Sequence, residues 1–390
     1  MSDKHAGALR HVLQAPVGIV VGLLLLGCND SATGPRFAGL PIVSQVSGST
    51  IGAPAVVGDT IFSCLQDQQV RASRLSTGEV LWTTRVRTVP RAWRPRNSVV
   101  AQGLHISGEV DVVGVRTTDG TVQWRYEDPA TYLIPDLYLA TDGAHVAFGA
   151  RGGVVVLLDA ATGAVRWRRT LMVDTASAFG SPVFVAGAVV YLRQRLNYDP
   201  PDGEPIAFAL DVTTGETRWV LRVDRSRGVN QMGGYDAIVA DGQVILALQD
   251  GALVSVRGTD GEIRWRRARN SNPADGYADL RYFAYNGSQL VASSIIDGTI
   301  RSYSLTDGSL RWTFHGPGSA FVSELAMDQR TVVASGINTQ LWMVDLTTHR
   351  GRALEILDKP LTHQFVPSPT LVNGTLVAPT ANGMLVLRIP

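Results

Sequence analysis

Short apolar runs of four to six residues alternate with tight polar turns along most of this chain. Between residues 241 and 267, for example, Asp-Gly pairs at 241, 250 and 260 separate the runs 244–248 and 253–256. Asp-Gly favours a tight hairpin because both central residues adopt φ > 0 at little steric cost. β-Branched runs between such turns predict antiparallel strands. The same pattern recurs at residues 142–159, 286–303 and 373–389.

A fixed marker accompanies this pattern. In six copies, a Gly preceded by Thr or Asp falls four residues before a Trp, and successive Trp residues are 42, 43, 52, 46 and 47 positions apart. A period of this length with four strands per copy predicts a β-propeller. We interpret the repeat Trp as packing residues that each cover about 150–250 Å²; a row of exposed Trp that binds sugars or bases is the alternative. They are Trp82, Trp124, Trp167, Trp219, Trp265 and Trp312.

The number of blades follows from the two ends of the repeat region. A seventh copy is degenerate, because His349 replaces the Gly and Ala353 occupies the Trp position; Trp342 on the preceding strand is expected to supply the missing bulk. Three further strands follow, and a spare strand at residues 41–46 precedes the first blade. Pairing these would close the ring and remove both free edges. The sequence therefore predicts eight blades, with seven as the alternative.

The (Thr/Asp)-Gly-x-x-x-Trp turn, preceded by runs such as residues 155–160, resembles the repeat of the PQQ-like β-propellers. That superfamily includes quinoprotein dehydrogenases and the BamB-type lipoproteins of the outer-membrane barrel assembly machine. The resemblance covers nearly all of residues 41–390 and implies an all-β, eight-bladed PQQ-like (quinoprotein-type) propeller. It implies function only weakly, because one fold carries many functions. In the BamB-type branch, an Arg-bearing loop between blades three and four contacts the partner, whereas residues 174–180 here contain no Arg.

The N-terminus predicts an address in the cell envelope. Basic residues precede an apolar stretch at 17–26 that is too short to span a bilayer and ends in Leu-Leu-Gly-Cys. This ending resembles a bacterial lipobox, so we expect a signal peptide at 1–27, lipidated Cys28 with a polar tether at 28–40, and one propeller domain at 41–390. An ordinary signal peptide with a chance Cys is the alternative. Asn29 resembles outer-membrane sorting, facing the periplasm, although inner-membrane sorting stays open.

Composition and motifs offer little for catalysis. The 35 basic and 34 acidic residues leave a net charge of +1, which does not indicate nucleic-acid binding. No His pair has metal-ligand spacing, and Cys64 is expected to be a small buried hydrophobe. Quinoprotein dehydrogenases, which this fold resembles, commonly carry adjacent cysteines and Ca²⁺ ligands that have no match here. We therefore predict no catalytic residue, no metal, no cofactor and no enzyme; a PQQ-binding quinoprotein is the alternative.

The longest irregular segments are the candidate binding sites. Arg with Trp and Tyr on loops of a rigid scaffold is the composition of protein-binding hot spots; ordinary solvated loops are the alternative. We expect a monomeric, lipid-anchored scaffold for protein partners in the envelope, such as a barrel-assembly subunit, while a glycan or another protein stays open as the ligand. The candidate partner-binding residues are Arg91, Trp93, Arg94, Arg96, Tyr198, Arg225 and Arg227.

Overall fold

The computed structural model describes residues 40–48, 50–65, 67–86, 98–108, 111–127, 138–171, 177–195, 205–222, 237–248, 252–267, 280–294, 297–316, 321, 323–336, 340–355, 368–380 and 383–389. The signal peptide predicted at 1–27 and nearly all of the tether predicted at 28–40 lie outside these residues and stay predictions. Within the described ranges, no helix is long and apolar enough to cross a membrane.

Eight antiparallel sheets form the described structure, and we number them as blades in chain order. The first strand of the chain, β1 (Ile42–Ser47), belongs to the last blade. Blade 1 contains β2 (Thr50–Val57), β3 (Thr60–Leu65), β4 (Gln69–Arg74) and β5 (Val80–Arg85). Blade 2 contains β6 (Ser98–Ala101), β7 (Leu104–Gly108), β8 (Val112–Arg116) and β9 (Val122–Tyr126). Blade 3 contains β10 (Ala140–Thr141), β11 (His145–Ala150), a 3-10 turn (Arg151–Gly153), β12 (Val154–Asp159) and β13 (Val165–Thr170).

Blade 4 has a divided first strand, since β14 (Ser177–Phe179) and β15 (Val183–Val185) both pair with β16 (Ala188–Arg195), before β17 (Pro205–Asp211) and β18 (Thr217–Arg222). Blade 5 contains β19 (Ala237–Ala240), β20 (Gln243–Ala247), β21 (Leu253–Arg257) and β22 (Ile263–Arg267). Blade 6 contains β23 (Leu280–Tyr285), β24 (Leu290–Ser294), β25 (Thr299–Tyr303) and β26 (Leu310–His315). Blade 7 contains β27 (Ala326–Met327), β28 (Thr331–Ser335), β29 (Gln340–Asp345) and β30 (Gly351–Glu355). Blade 8 contains β31 (Thr370–Val372), β32 (Thr375–Thr380), β33 (Gly383–Arg388) and β1.

The N-terminal strand closes the ring. β1 pairs antiparallel with β33, with Gln45 opposite Leu385, and so becomes the fourth strand of blade 8. On the innermost strands, the Thr370 hydroxyl donates to the Pro54 carbonyl at 2.7 Å and joins blade 8 to blade 1. The predicted eight-bladed, all-β propeller closed by an N-terminal strand is confirmed.

The core lies between blades rather than within one of them. A cluster around Leu104 and Ile106 of blade 2 packs against Val146, Phe148 and Val156 of blade 3, and similar clusters occupy the other seams. The second and third strands are covered on both sides, which explains why they read as continuous apolar runs. The fourth strands are mostly exposed except at the Trp.

The antiparallel order gives the ring two distinct faces. Turns between strands one and two, and between strands three and four, lie on one face, which we call the turn face. Turns between strands two and three, and the links from each fourth strand to the next blade, lie on the opposite face, which we call the connection face.

Candidate functional site

Each repeat Trp is aimed at the following blade by a β-bulge. In blade 3, Leu157 pairs with Trp167 and Leu158 with Val165, so that one residue between them is unpaired. Equivalent irregularities occur in the fourth strands of blades 1, 2, 4, 5 and 6. A bulge bends its strand and redirects a side chain, and here it turns the indole over the turn face of the next blade.

The indole N–H then donates to a backbone carbonyl of the next blade. In five seams the acceptor lies three residues before the repeat Gly, and bonding satisfies an N–H that burial would otherwise leave unpaired. The donor and acceptor pairs are Trp82–Thr117 at 2.9 Å, Trp124–Ala160 at 3.1 Å, Trp167–Val212 at 2.9 Å, Trp219–Gly258 at 3.0 Å and Trp265–Leu305 at 2.7 Å.

The repeat Gly is the surface that the indole covers. Gly215 has φ +69°, and a Cβ atom there would lie 2.7 Å from Cγ of Trp167. The position therefore needs Gly both for its backbone conformation and for the space. Gly120, Gly163, Gly261 and Gly308 have the same relation to the Trp of the preceding blade. The Gly and Trp of one sequence copy thus contact different neighbours.

In three of these seams, a second side chain, two residues beyond the Trp, also bonds to the next blade. The Thr84 hydroxyl donates to the Gly120 carbonyl at 2.6 Å. Arg169 donates to the Thr214 carbonyl at 2.8 Å, and Arg267 donates to the Asp307 carbonyl at 2.7 Å. These guanidinium groups therefore connect neighbouring blades.

Carboxylates at the three–four turns have structural partners. Asp211 accepts hydrogen bonds from the backbone N–H groups of Thr213 and Thr214 at 2.8 Å, and it forms an ion pair with Arg218 at 2.6 Å. These backbone bonds and then the Arg218 bond lower the pKa of Asp211 to about 2. Bonds from the backbone and hydroxyl of Ser309 likewise lower the pKa of Asp307 to about 2. Both groups are ionised turn caps near neutral pH.

The seam between blades 6 and 7 uses a different contact. His349 replaces the Gly with φ +57°, and its ring stacks on Trp312 at 4.8 Å between centroids. The Trp312 indole donates to the Gln289 side-chain oxygen at 3.3 Å, and the Gln289 amide donates to the Leu346 carbonyl at 3.3 Å. Leu346 lies three residues before His349, so Gln289 relays the bond that Trp makes directly elsewhere.

Blade 7 lacks the bulge, so the side chains of its fourth strand face the opposite blades from those of the other fourth strands. Trp342 pairs directly with Ala353, and both face blade 6, where Trp342 lies 5.9 Å from the Phe314 ring. Leu354 instead faces blade 8 within an aliphatic cluster that includes Leu371. The expectation for Trp342 is therefore corrected: it adds bulk to the seam before blade 7, and aliphatic side chains fill the seam after it.

In the seam between blades 8 and 1, the backbone of the closing strand lies where an indole lies in the seams from blade 1 to blade 6. A bulge between Ile42 and Ser44 places Ser44 where the other blades have Trp, and its hydroxyl donates to the Leu75 carbonyl at 2.6 Å. Leu75 lies three residues before Gly78, where a Cβ atom would lie 2.2 Å from the Gln45 carbonyl oxygen. Strand β1 therefore reproduces the seam without an aromatic ring.

The side chains that could take part in catalysis are buried or hydrogen-bonded. Burial raises the pKa of the Cys64 thiol to about 12, so the thiol is protonated and unreactive. His105 is fully buried against the Phe62 ring, and burial lowers its pKa to about 3. His145 bonds the Asp142 carboxylate at 3.0 Å. In the described part of the chain, no group of three or more His, Cys, Asp or Glu residues could hold a metal ion.

The candidate binding residues predicted from the loops lie outside the described residues. Arg91, Trp93, Arg94 and Arg96 fall in 87–97, Tyr198 in 196–204, and Arg225 and Arg227 in 223–236. The strand ends that flank all three segments lie on the connection face.

One of these segments has a fixed starting point. Arg125 of β9 donates to the carbonyl of Val86, the last described residue before 87–97, and pairs with the Asp111 carboxylate. The Asp111 side chain is nearly buried, so the link holds the beginning of this connection against blade 2.

A buried ion pair lies at the same face of blade 6. Arg301 donates to Asp297 at 2.7 Å, and Thr299 donates its hydroxyl to the same carboxylate at 2.6 Å. Burial opposes ionisation of Asp297, but the bonds from Thr299 and Ser294 and the charge of Arg301 lower its pKa overall. The connection face therefore has both mutually neutralised charges and fixed loop bases.

Comparison with known proteins identifies the family of this propeller. The family described as "Outer membrane protein assembly factor BamB" matches residues 42–133 and 111–294, more than half of the chain. The chain belongs to the BamB family. A BamB from Yersinia pestis is 24% identical, and the match covers 95% of this chain and 86% of that protein.

A second relative and the solved structures bear on the fold. The serine/threonine-protein kinase AfsK of Streptomyces griseus is 28% identical over 158 residues, which is 38% of this chain and only 19% of the kinase. The computationally designed Ika8 protein superposes with a TM-score of 0.69 and 17% identity over 90% of this chain and 100% of its own. BamB from Moraxella catarrhalis gives a TM-score of 0.51 and 17% identity over 82% and 84%.

Proposed function

We propose that the protein is a non-catalytic, lipid-anchored scaffold that takes part in assembling outer-membrane β-barrel proteins. The BamB-family match across residues 42–294 carries the proposal. The geometry supports it, because the repeat residues are used to pack blades and the reactive side chains described are buried or bonded within turns. The proposed partner is a barrel-assembly subunit, and the proposed location is the periplasmic side of the outer membrane.

The proposed partner site is the connection face. Its candidate residues are Arg94 and Arg227, which follow blades 1 and 4 in the sequence. Arg125 and Asp111 fix the base of the first of these connections. Segments that connect the strands of a rigid scaffold at one face are a common place for protein binding.

Cross-linking in cells followed by purification from solubilised membranes tests the partner. We expect a barrel-assembly subunit to be recovered with the wild-type protein and lost with Arg94→Glu/Arg227→Glu. The matched control is Arg311→Glu/Arg352→Glu, which changes charge equally on exposed fourth strands. Absence of any barrel-assembly subunit, under conditions that recover other envelope complexes, would sink the assignment.

The anchor is tested separately with the two cysteines of the chain. Cys28→Ser should abolish incorporation of a labelled fatty acid. The variant protein should then be released from the membrane, because acyl chains supply the proposed attachment. Cys64→Ser is the control, since Cys64 is buried in the propeller. Equal labelling of both variants would overturn lipidation at Cys28.

A further inference from the structure

Arginine is concentrated on the exposed fourth strands of three consecutive blades. Strands β13, β18 and β22 of blades 3, 4 and 5 carry eight Arg and no acidic residue. The five other fourth strands together carry four Arg and one Glu. We call the eight residues the arginine rim: Arg166, Arg168, Arg169, Arg218, Arg222, Arg264, Arg266 and Arg267.

Contacts within the ring use part of this charge but leave the rim at the surface. Arg166 pairs with Asp159 at 2.6 Å and Arg218 with Asp211 at 2.6 Å, each within its own hairpin. All eight residues are nevertheless exposed, and the Arg166 side chain keeps 56% of its accessible surface. Valine and isoleucine at positions 165, 220 and 263 are exposed among them. The rim is thus a basic surface with apolar contacts interleaved.

The backbone of the same strands is accessible. Each of β13, β18 and β22 ends the strand order of its sheet, and no strand in the described ranges pairs with its outer edge. A free edge accepts an extended segment through main-chain hydrogen bonds, while alternate side chains provide specificity.

The sign of the charge decides what such a segment carries. Beyond the bulge of each strand, Arg169 and Arg267 donate to the next blade, and Arg168 and Arg266 lie one position earlier at exposed positions. Arg264 is exposed at the bulge itself. Carboxylates of a paired segment would meet these guanidinium groups.

We propose that the arginine rim binds an extended acidic segment of a partner protein along the outer edges of blades 3–5. A protein is favoured over an anionic membrane because the unpaired outer edges of these strands offer N–H and C=O groups that an extended polypeptide backbone can pair with.

The test uses a fluorescein-labelled nine-residue peptide of alternating Glu and Thr and the full-length protein in nonionic detergent. Fluorescence anisotropy should show saturable binding that weakens with salt, and no binding of the matching Lys-Thr peptide. Arg168→Glu/Arg264→Glu/Arg266→Glu should weaken binding by about tenfold or more. The control Arg85→Glu/Arg311→Glu/Arg352→Glu changes the same net charge on fourth strands of other blades and should change affinity by less than about twofold.

Equal loss in both triple variants, or no binding by the wild type, would overturn the proposal. The same titration on protein reconstituted in phosphatidylcholine or phosphatidylglycerol vesicles separates the two partners. Similar affinity in both supports a rim that binds protein, whereas loss only with phosphatidylglycerol would assign the rim to lipid. Because the peptide assay contains no barrel-assembly subunit, its outcome is independent of the cross-linking test.

Discussion

The ring consists of two arcs that solve the same packing problem differently. From blade 1 to blade 6, each seam is closed by a Trp that covers a Gly and donates to a carbonyl three residues earlier. From blade 6 through blades 7 and 8 to blade 1, the seams use a His–Trp stack, an aliphatic cluster and a Ser on a returning strand. A propeller therefore requires a filled seam, and not one particular side chain.

The difference also suggests where the ring is weakest. An indole buries about 150–250 Å² and anchors it with a directional bond, whereas the closing arc depends on smaller contacts and on one strand from the far end of the chain. Local opening begins where buried contacts are fewest. We therefore expect the seams on either side of blade 8 to open before the others.

The closing strand should show the largest effect. Val46 of β1 is 1% exposed and packs with Ile61 and Val386, so Val46→Asp places a carboxylate without a partner in an apolar seam. We expect a loss of about 5 kcal/mol in the free energy of unfolding, measured by urea denaturation. Ile42→Asp, in the same strand but 51% exposed, should cost less than about 0.5 kcal/mol. Similar losses would show that β1 does not close the ring.

Two Trp substitutions compare the arcs directly. Trp167→Ala should cost about 4 kcal/mol, because Trp167 is 4% exposed and its removal leaves a cavity over Gly215. Trp312→Ala should cost about 2 kcal/mol, because the ring is only half-buried and stacks on His349. Equal losses in urea denaturation would contradict the distinction between the arcs.

Glycine substitutions separate steric contact from backbone strain. Gly215→Ala should cost about 3 kcal/mol, since the new Cβ meets the Trp167 ring and the residue keeps φ +69°. Gly242→Ala is the control, because Gly242 has φ +72° with open space around it. It should cost about 1 kcal/mol. A control loss as large as that of Gly215→Ala would assign the repeat Gly to turn conformation alone.

Acidification should weaken the seam between blades 1 and 2, where His105 stacks on Phe62. The folded pKa of His105 is lowered to about 3 from the usual 6.5, so the unfolded chain binds the proton first as the pH falls. The contribution of neutral His105 is complete above pH 6.5 and is lost progressively between pH 6.5 and 3, by about 2 kcal/mol at pH 5. His105→Phe should flatten this part of the stability profile, whereas His315→Phe, at an exposed strand end, should not. An unchanged profile in His105→Phe would remove His105 as the cause.

Much of the fold was predictable from local patterns. Turn pairs and apolar runs predicted four strands per copy. Three strands after the last complete copy and one spare strand before the first predicted closure, with β1 observed at Ile42–Ser47 against the expected 41–46. The candidate site was less predictable. Its loop residues were selected by composition, and they lie outside the described residues. The arginine rim was missed, although the signal existed in Arg residues that flank Trp167 and Trp265.

The sequence by itself determined the number of blades, their strand order and the means of closure, because turn chemistry and side-chain alternation act over a few neighbouring residues. Tertiary structure decided which copies touch. The repeat Gly receives the Trp of the preceding copy, Ser44 takes the place of a Trp, and Ala353, at the Trp position of blade 7, faces blade 6 because one bulge is missing. A bulge shifts register by one residue and thereby reverses the side that each following side chain faces. No local pattern in blade 7 announces that shift, so only packing between complete blades reveals it.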